Sequence, residues 1–197
     1  MVYTREELAA LYATCQKYDL RLFIDGARLG YGLVSAACDY DLPFLAKHCD
    51  AFYIGGTKVG AMMGEAVVFS GMKAPKYFFT NVKRHGALLA KGRMLGIQFD
   101  TLFTDELYFK ISRHAIAMAT RIRSIFEKHG IAIAYDSPTN QQFVVLSPAL
   151  YEALSPKVAF EIWERKSEHE IICRFVTSWA TKEEELDELD RIFQSYA

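Results

Sequence analysis

Two short runs combine residue types that could do chemistry. In Phe23-Ile24-Asp25-Gly26-Ala27-Arg28 an apolar, strand-like stretch ends on a carboxylate, a glycine and a guanidinium. Open α/β sheets gather ligand-binding groups at the carboxyl ends of their strands, although an Asp-Gly pair there also serves as a plain turn. In Tyr53-Ile54-Gly55-Gly56-Thr57-Lys58-Val59-Gly60 a lysine follows a second strand-like stretch, between glycines and a hydroxyl and with few charges beside it. An amine in an apolar, desolvated pocket loses proton affinity and becomes a nucleophile toward carbonyl carbon. A surface lysine in a glycine turn is the other reading, and the run taken singly leaves both open.

The histidines and cysteines offer no rival chemistry. His48, His85, His114, His129 and His169 lack a metal-binding spacing such as H-E-x-x-H, and His85 beside Arg84 reads as a surface residue. Cys15, Cys38, Cys49 and Cys173 form no C-x-x-C pair and read as small buried hydrophobes of a reducing compartment. No metal site is expected.

Elements must place the two runs. Thr4-Arg5-Glu6-Glu7 is a capping box that starts a helix near Arg5, and Leu20 to Ile24 is a run of strand formers. Leu42 to Lys47 reads as a short helix, Ala51 to Ile54 and Gly64 to Phe69 as strands, and the spacing of Leu107, Ile111, Ile116, Met118, Ile122, Ile125 and Phe126 as one long helix ending at Gly130. Beyond it, strands are expected at Ile131 to Tyr135, Gln142 to Leu146 and Glu170 to Thr177. Helices are expected at Ser155 to Lys166 and Thr181 to Tyr196, the last with a solvated acidic face. Strands so short and apolar suit a sheet covered on both faces.

The 197 residues are 51% hydrophobic and 24% charged, enough apolar content for a buried core. A net charge of -1 lacks the basic surplus that phosphate-backbone binding requires, which argues against a nucleic-acid partner. No window reaches the roughly 18 apolar residues of a membrane span, and charges run through the first twenty residues, so no membrane or signal segment is expected and the location is read as cytoplasmic.

Together the two runs resemble the fold-type-I pyridoxal-phosphate (PLP) enzymes. The Asp25-Gly26-Ala27-Arg28 run, a lysine just past a strand, and Arg174-Phe175-Val176-Thr177-Ser178-Trp179 near the C-terminus are most similar to threonine aldolases and their β-eliminating lyase relatives. The resemblance implies an α/β fold: part of the large domain of the aspartate-aminotransferase-like PLP-dependent transferases over residues 1–110, and a small C-terminal α/β domain over 111–197. It implies PLP as cofactor, bonded to Lys58, which afterwards moves protons. Asp25 would keep the pyridine nitrogen protonated. Arg28 would sit near the cofactor oxygen and the substrate carboxylate, and Arg174 would clamp that carboxylate. Thr57 would touch the phosphate, its alternative being a turn hydroxyl capping its own backbone.

Departures from the family pattern are visible. Where threonine aldolases carry Gly-Gly-Gly-Met-Arg-Gln, this sequence reads Lys91-Gly92-Arg93-Met94-Leu95-Gly96, leaving Lys91 or Arg93 as substitute anion contacts. Val59, Met62 and Met63 stand in the turn after the lysine, where methionine is expected as adaptable packing. The phosphate loop and the ring-stacking residue that precede the first helix in the family have no counterpart among these residues. The implied function is a lyase that cleaves a β-hydroxy amino acid such as threonine into glycine and an aldehyde. The alternatives are a β-eliminating amino-acid lyase, or a truncated, non-catalytic fragment or subunit of such an enzyme. The implied assembly is a homo-oligomer, or pairing with a complementary N-terminal fragment.

Overall fold

The computed structural model describes residues 2–196. Its contacts fall into two units, Val2–Ile111 and a second beginning at Ser112.

In the first unit, helix α1 (Arg5–Lys17) begins as its sequence dictates. The Thr4 hydroxyl accepts from the Glu7 amide at 3.2 Å and the Thr4 amide donates to the Glu7 carboxylate at 2.8 Å. Strand β1 is only Phe23–Ile24, shorter than the apolar run suggested. The Leu22 amide bonds the buried Asp50 carboxylate at 2.8 Å, and Arg21 pairs with the same group at 2.9 Å. Local side-chain bonding thus takes donors that a longer ladder would use.

Helices α2 (Leu29–Leu33) and α3 (Leu42–Lys47) follow, the latter capped by Asp41, which accepts from the Phe44 amide at 2.9 Å. Strand β2 (Ala51–Gly55) runs parallel to β1, with Phe23 opposite Ala51 and Ile24 opposite Phe52. Strand β3 (Glu65–Phe69) pairs antiparallel to β2, giving the order β1-β2-β3. Leu8, Leu45, Cys49 and Phe52 are buried together at the centre. Over 78–103 the sequence pattern predicts no element. Helices α4 (Phe78–Arg84) and α5 (Arg93–Phe103) form there, and Arg93-Met94-Leu95-Gly96 is the first turn of α5.

Helix α6 (Leu107–Lys128) ends as expected before Gly130, whose φ of +69° suits glycine. In the second unit β4 (Ala132–Tyr135), β5 (Gln141–Leu146), β6 (Glu161–Arg165) and β7 (Ile171–Val176) make an antiparallel sheet of order β4-β5-β7-β6. Residues of α6 and of α8 (Glu183–Gln194) pack with this sheet in a core that includes Phe126, Val144, Leu146, Leu154, Phe175 and Phe193.

The helix expected over Ser155 to Lys166 is not there. Helix α7 (Pro148–Leu154) precedes it, started by the Ser147 cap with proline in its first turn, and stops before Pro156. Pro156 cannot donate an amide to continue a helix. Glu161–Arg165 instead forms an edge strand exposed at every residue and rich in charge, a composition that discourages further strand pairing. In α8, Leu186, Leu189 and Phe193 are buried while Glu183, Glu184 and Glu185 face solvent in the first turn, where the helix dipole favours acids.

Candidate active site

The parallel pairing of β1 with β2 brings their following turns to one end of the sheet. Asp25 comes directly after β1, and Gly56-Thr57-Lys58 directly after β2. The turns touch through backbone, since the Gly55 amide donates to the Gly26 carbonyl at 2.9 Å. Only glycine permits the approach. A Cβ on Gly26 would lie 1.7 Å from the Tyr53 carbonyl oxygen, and one on Gly55 would lie 2.3 Å from that of Ala27.

The Asp25 carboxylate is held through one oxygen. Oδ1 accepts from the Ala27 amide at 3.0 Å and from the Tyr53 hydroxyl; among the described residues Oδ2 is left free to meet a further donor. The Tyr53 hydrogen bond, then the Ala27 amide, hold Asp25 below the usual carboxylate range, with smaller help from the positive charges of Lys58 and Arg28. The same bond pushes Tyr53 up to about 12. The carboxylate is therefore ionised at neutral pH.

The backbone around Lys58 is fixed from several directions. The buried Tyr31 donates its hydroxyl to the Lys58 carbonyl. Tyr108, with no exposed surface, donates to the Gly55 carbonyl at 2.9 Å and accepts from the Gly30 amide at 3.1 Å. Val59 is fully buried, and Gly60 and Gly64 take φ of +95° and +84°. The Gln98 side chain on α5 binds the next turn, accepting from the Met62 amide at 2.7 Å and donating to the Met63 carbonyl at 3.3 Å.

Two expectations need correction. Lys58 is exposed, so the residues of this chain do not supply the desolvated pocket that the sequence suggested. Met62 and Met63 are 86% and 47% exposed and so do not supply the buried packing expected of them, while Gln98 hydrogen-bonds their backbone.

Asp25, Arg28, Thr57 and Lys58 are thus gathered in the first unit, with Arg28 half-buried at the start of α2. The Thr57 hydroxyl donates to Glu65 at 2.8 Å. Lys91 and Arg93 are exposed. Arg174 stands on β7 in the second unit. Its guanidinium donates to Gln141 at 2.9 Å and to Glu161, lies 5.2 Å from the Trp163 ring centre, and keeps a buried Nε with no partner among the described residues. A groove of about 590 Å³ in the same unit, lined by Ile122, Val158, Phe175 and Leu189, contains none of these residues.

The β-eliminating lyase family model matches residues 1–149. The chain belongs to the β-eliminating lyase family. Two low-specificity L-threonine aldolases are similar to it, one from Pseudomonas aeruginosa, 28% identical over 96% of this chain, and one from a Pseudomonas species, 29% identical over 95%. The chain spans about half the length of these curated relatives, 54% of each. The solved structure of a Leishmania major threonine aldolase superposes with a TM-score of 0.94 at 36% identity, covering 98% of this chain and 57% of that one. The fold is accordingly part of the PLP-dependent transferase fold, as the sequence implied. Members of the family depend on PLP, and an ionised carboxylate beside an accessible amine at the ends of two parallel strands fits what that cofactor requires.

Tyr31, Tyr108 and Gln98 brace this site without any sequence signal of their own, and only the register of β2 against β1 reveals Tyr53 as a partner of Asp25.

Proposed function

We propose that this chain serves in a PLP-dependent lyase that cleaves a β-hydroxy amino acid such as threonine into glycine and an aldehyde. The observation that carries the reading is the glycine-mediated junction of the two turns, which sets an ionised Asp25 beside Lys58 in a chain of this family. The reaction type is drawn from the L-threonine aldolases it resembles.

When bound, PLP supplies an electron sink for the pair released at the substrate's Cα. Lys58 would hold the cofactor through Nζ, and its free amine would carry a proton there. Asp25, anchored through Oδ1, would hold a proton on the cofactor's ring nitrogen, because an ionised carboxylate stabilises a cationic partner. Arg28 in the first unit and Arg174 in the second are each candidates to bind the substrate carboxylate, and the buried Nε of Arg174, without a partner among the described residues, gives that residue a donor still to be satisfied. β-Elimination by the same residues, with Lys58 taking the Cα proton, is the alternative reaction.

We further propose a cytoplasmic location, and assembly as a homo-oligomer or with a complementary N-terminal segment. Support for assembly comes from the exposure of Asp25 and Lys58 and from the half-length match to the relatives. No described helix is long and apolar enough to cross a membrane.

The test is a PLP titration followed by visible absorbance, beside Lys58→Ala. A visible band that Lys58→Ala abolishes, followed by aldehyde release from threonine, is the expected result. A folded chain that shows no band would favour the non-catalytic alternative.

A further inference from the structure

Glu65 opens β3, an edge strand, and its side chain faces the turn that precedes Lys58. An exposed glutamate on an edge strand is ordinarily explained as a guard against further strand pairing. Here both carboxylate oxygens are committed inward. Oε2 accepts from the Gly56 amide and Oε1 from the Thr57 hydroxyl at 2.8 Å. These are an amide two residues before the lysine and the hydroxyl of the residue just before it.

The turn has no slack elsewhere. A Cβ on Gly56 would lie 2.5 Å from the Gly64 carbonyl oxygen and 2.8 Å from the Phe99 ring. Gly64, at φ of +84°, directs the chain into Glu65. The turn therefore folds back so that the residue entering β3 reaches the residues leaving β2.

We propose that Glu65 is a positioning residue for Lys58, clamping the Gly56-Thr57 turn so that the lysine amine is presented to its aldehyde. The inference rests on the cofactor role given to Lys58 above. It assigns the Thr57 hydroxyl to the clamp and not to the cofactor phosphate, since that hydroxyl already donates to the Glu65 carboxylate.

The two assignments of Thr57 predict different chemistry with pyridoxal, which has the aldehyde of PLP and no phosphate. The experiment measures the rate at which PLP and pyridoxal bond to Lys58 in the whole chain, with Glu65→Ala, Glu65→Gln and Thr57→Val. It also measures hydrogen exchange of the Gly56 amide in the unliganded chain. Glutamine keeps an oxygen for the Gly56 amide and an NH₂ that can donate to the Thr57 hydroxyl.

If Glu65 positions the lysine, Glu65→Ala slows both aldehydes by the same factor, between about ten- and a hundredfold for a small misplacement of a reacting group. Glu65→Gln recovers most of the rate, Thr57→Val loses part of it for both aldehydes alike, and the Gly56 amide loses its protection only in Glu65→Ala. A loss confined to PLP would assign the turn to the phosphate and overturn the proposal. So would a Gly56 amide that exchanges equally in the wild type and Glu65→Ala. Should the wild type bond neither aldehyde, the cofactor reading of Lys58 fails, while the exchange measurement still decides whether the clamp exists. Should Glu65→Ala not fold, Glu65→Gln and Thr57→Val carry the comparison.

Discussion

The Asp25 carboxylate and the Tyr53 hydroxyl form a pair whose titrations report on each other. Asp25 is held below, and Tyr53 raised to about 12 above, their ordinary values by the bond between them. Tyr53→Phe should therefore move the Asp25 pKa upward toward the usual carboxylate range near about 4, read from its side-chain carbon shift by NMR. No upward movement would mean that the Ala27 amide alone holds the charge. The linkage signs are opposite for the two groups. Asp25, with a depressed folded value, lends stability that is present above the ordinary carboxylate range and lost as pH falls through the folded value. Tyr53, with a raised folded value, lends stability that is full below about 10 and lost as pH rises through about 12. Asp25, a carboxylate before a glycine, and Lys58, an amine flanked by Gly56 and Gly60, stand out in the sequence because each follows an apolar run; Tyr53 does not, because a tyrosine in a strand has an ordinary packing explanation.

At the scale of elements, the site depends on how closely two strand ends approach, and glycines decide that. Gly26→Ala places a methyl 1.7 Å from a backbone oxygen that cannot swing aside. The substitution should cost at least the upper end of the about 1–3 kcal/mol typical of overpacking, seen as a lower urea midpoint by circular dichroism. Gly32→Ala in α2 is the contrast: nothing lies within 4 Å of its Cβ position, and relief of backbone entropy should stabilise by about 0.5–1 kcal/mol. A Gly26→Ala chain as stable as the wild type would mean that the β1 and β2 turns can separate without consequence. Most elements were readable from periodicity and caps, as with the Thr4 box and the long helix ending at Gly130. The failures have physical causes: Pro156 and an exposed charged edge strand were read as helix, and α4 and α5 expose apolar residues such as Phe79, Met94 and Ile97, which blurs the contrast that marks a helix face. The partial PLP-enzyme fold was legible from a few residues at strand ends; the side chains that brace the lysine turn come from α2, α5, α6 and β3, and only the folded chain brings them there.

On the scale of the whole molecule, each unit has its own core, and the second can be followed separately because Trp163 and Trp179 are the only tryptophans in the sequence and both lie in it. Phe126→Ala empties the centre of that core and should cost about 3–5 kcal/mol, visible as an earlier tryptophan-fluorescence transition in denaturant. The larger question is what shields the amine, since Lys58 and Asp25 are exposed and the chain covers about half of its curated relatives. If a second copy supplies walls that desolvate this amine, PLP bonding per chain should rise with protein concentration in step with dimer or higher species in sedimentation velocity. If the walls belong to a complementary segment, bonding stays weak at every concentration until that segment is added. Tight, saturable bonding by a chain that sediments as a monomer would sink both versions, and would mean that an exposed lysine, clamped as described, suffices to take up the cofactor.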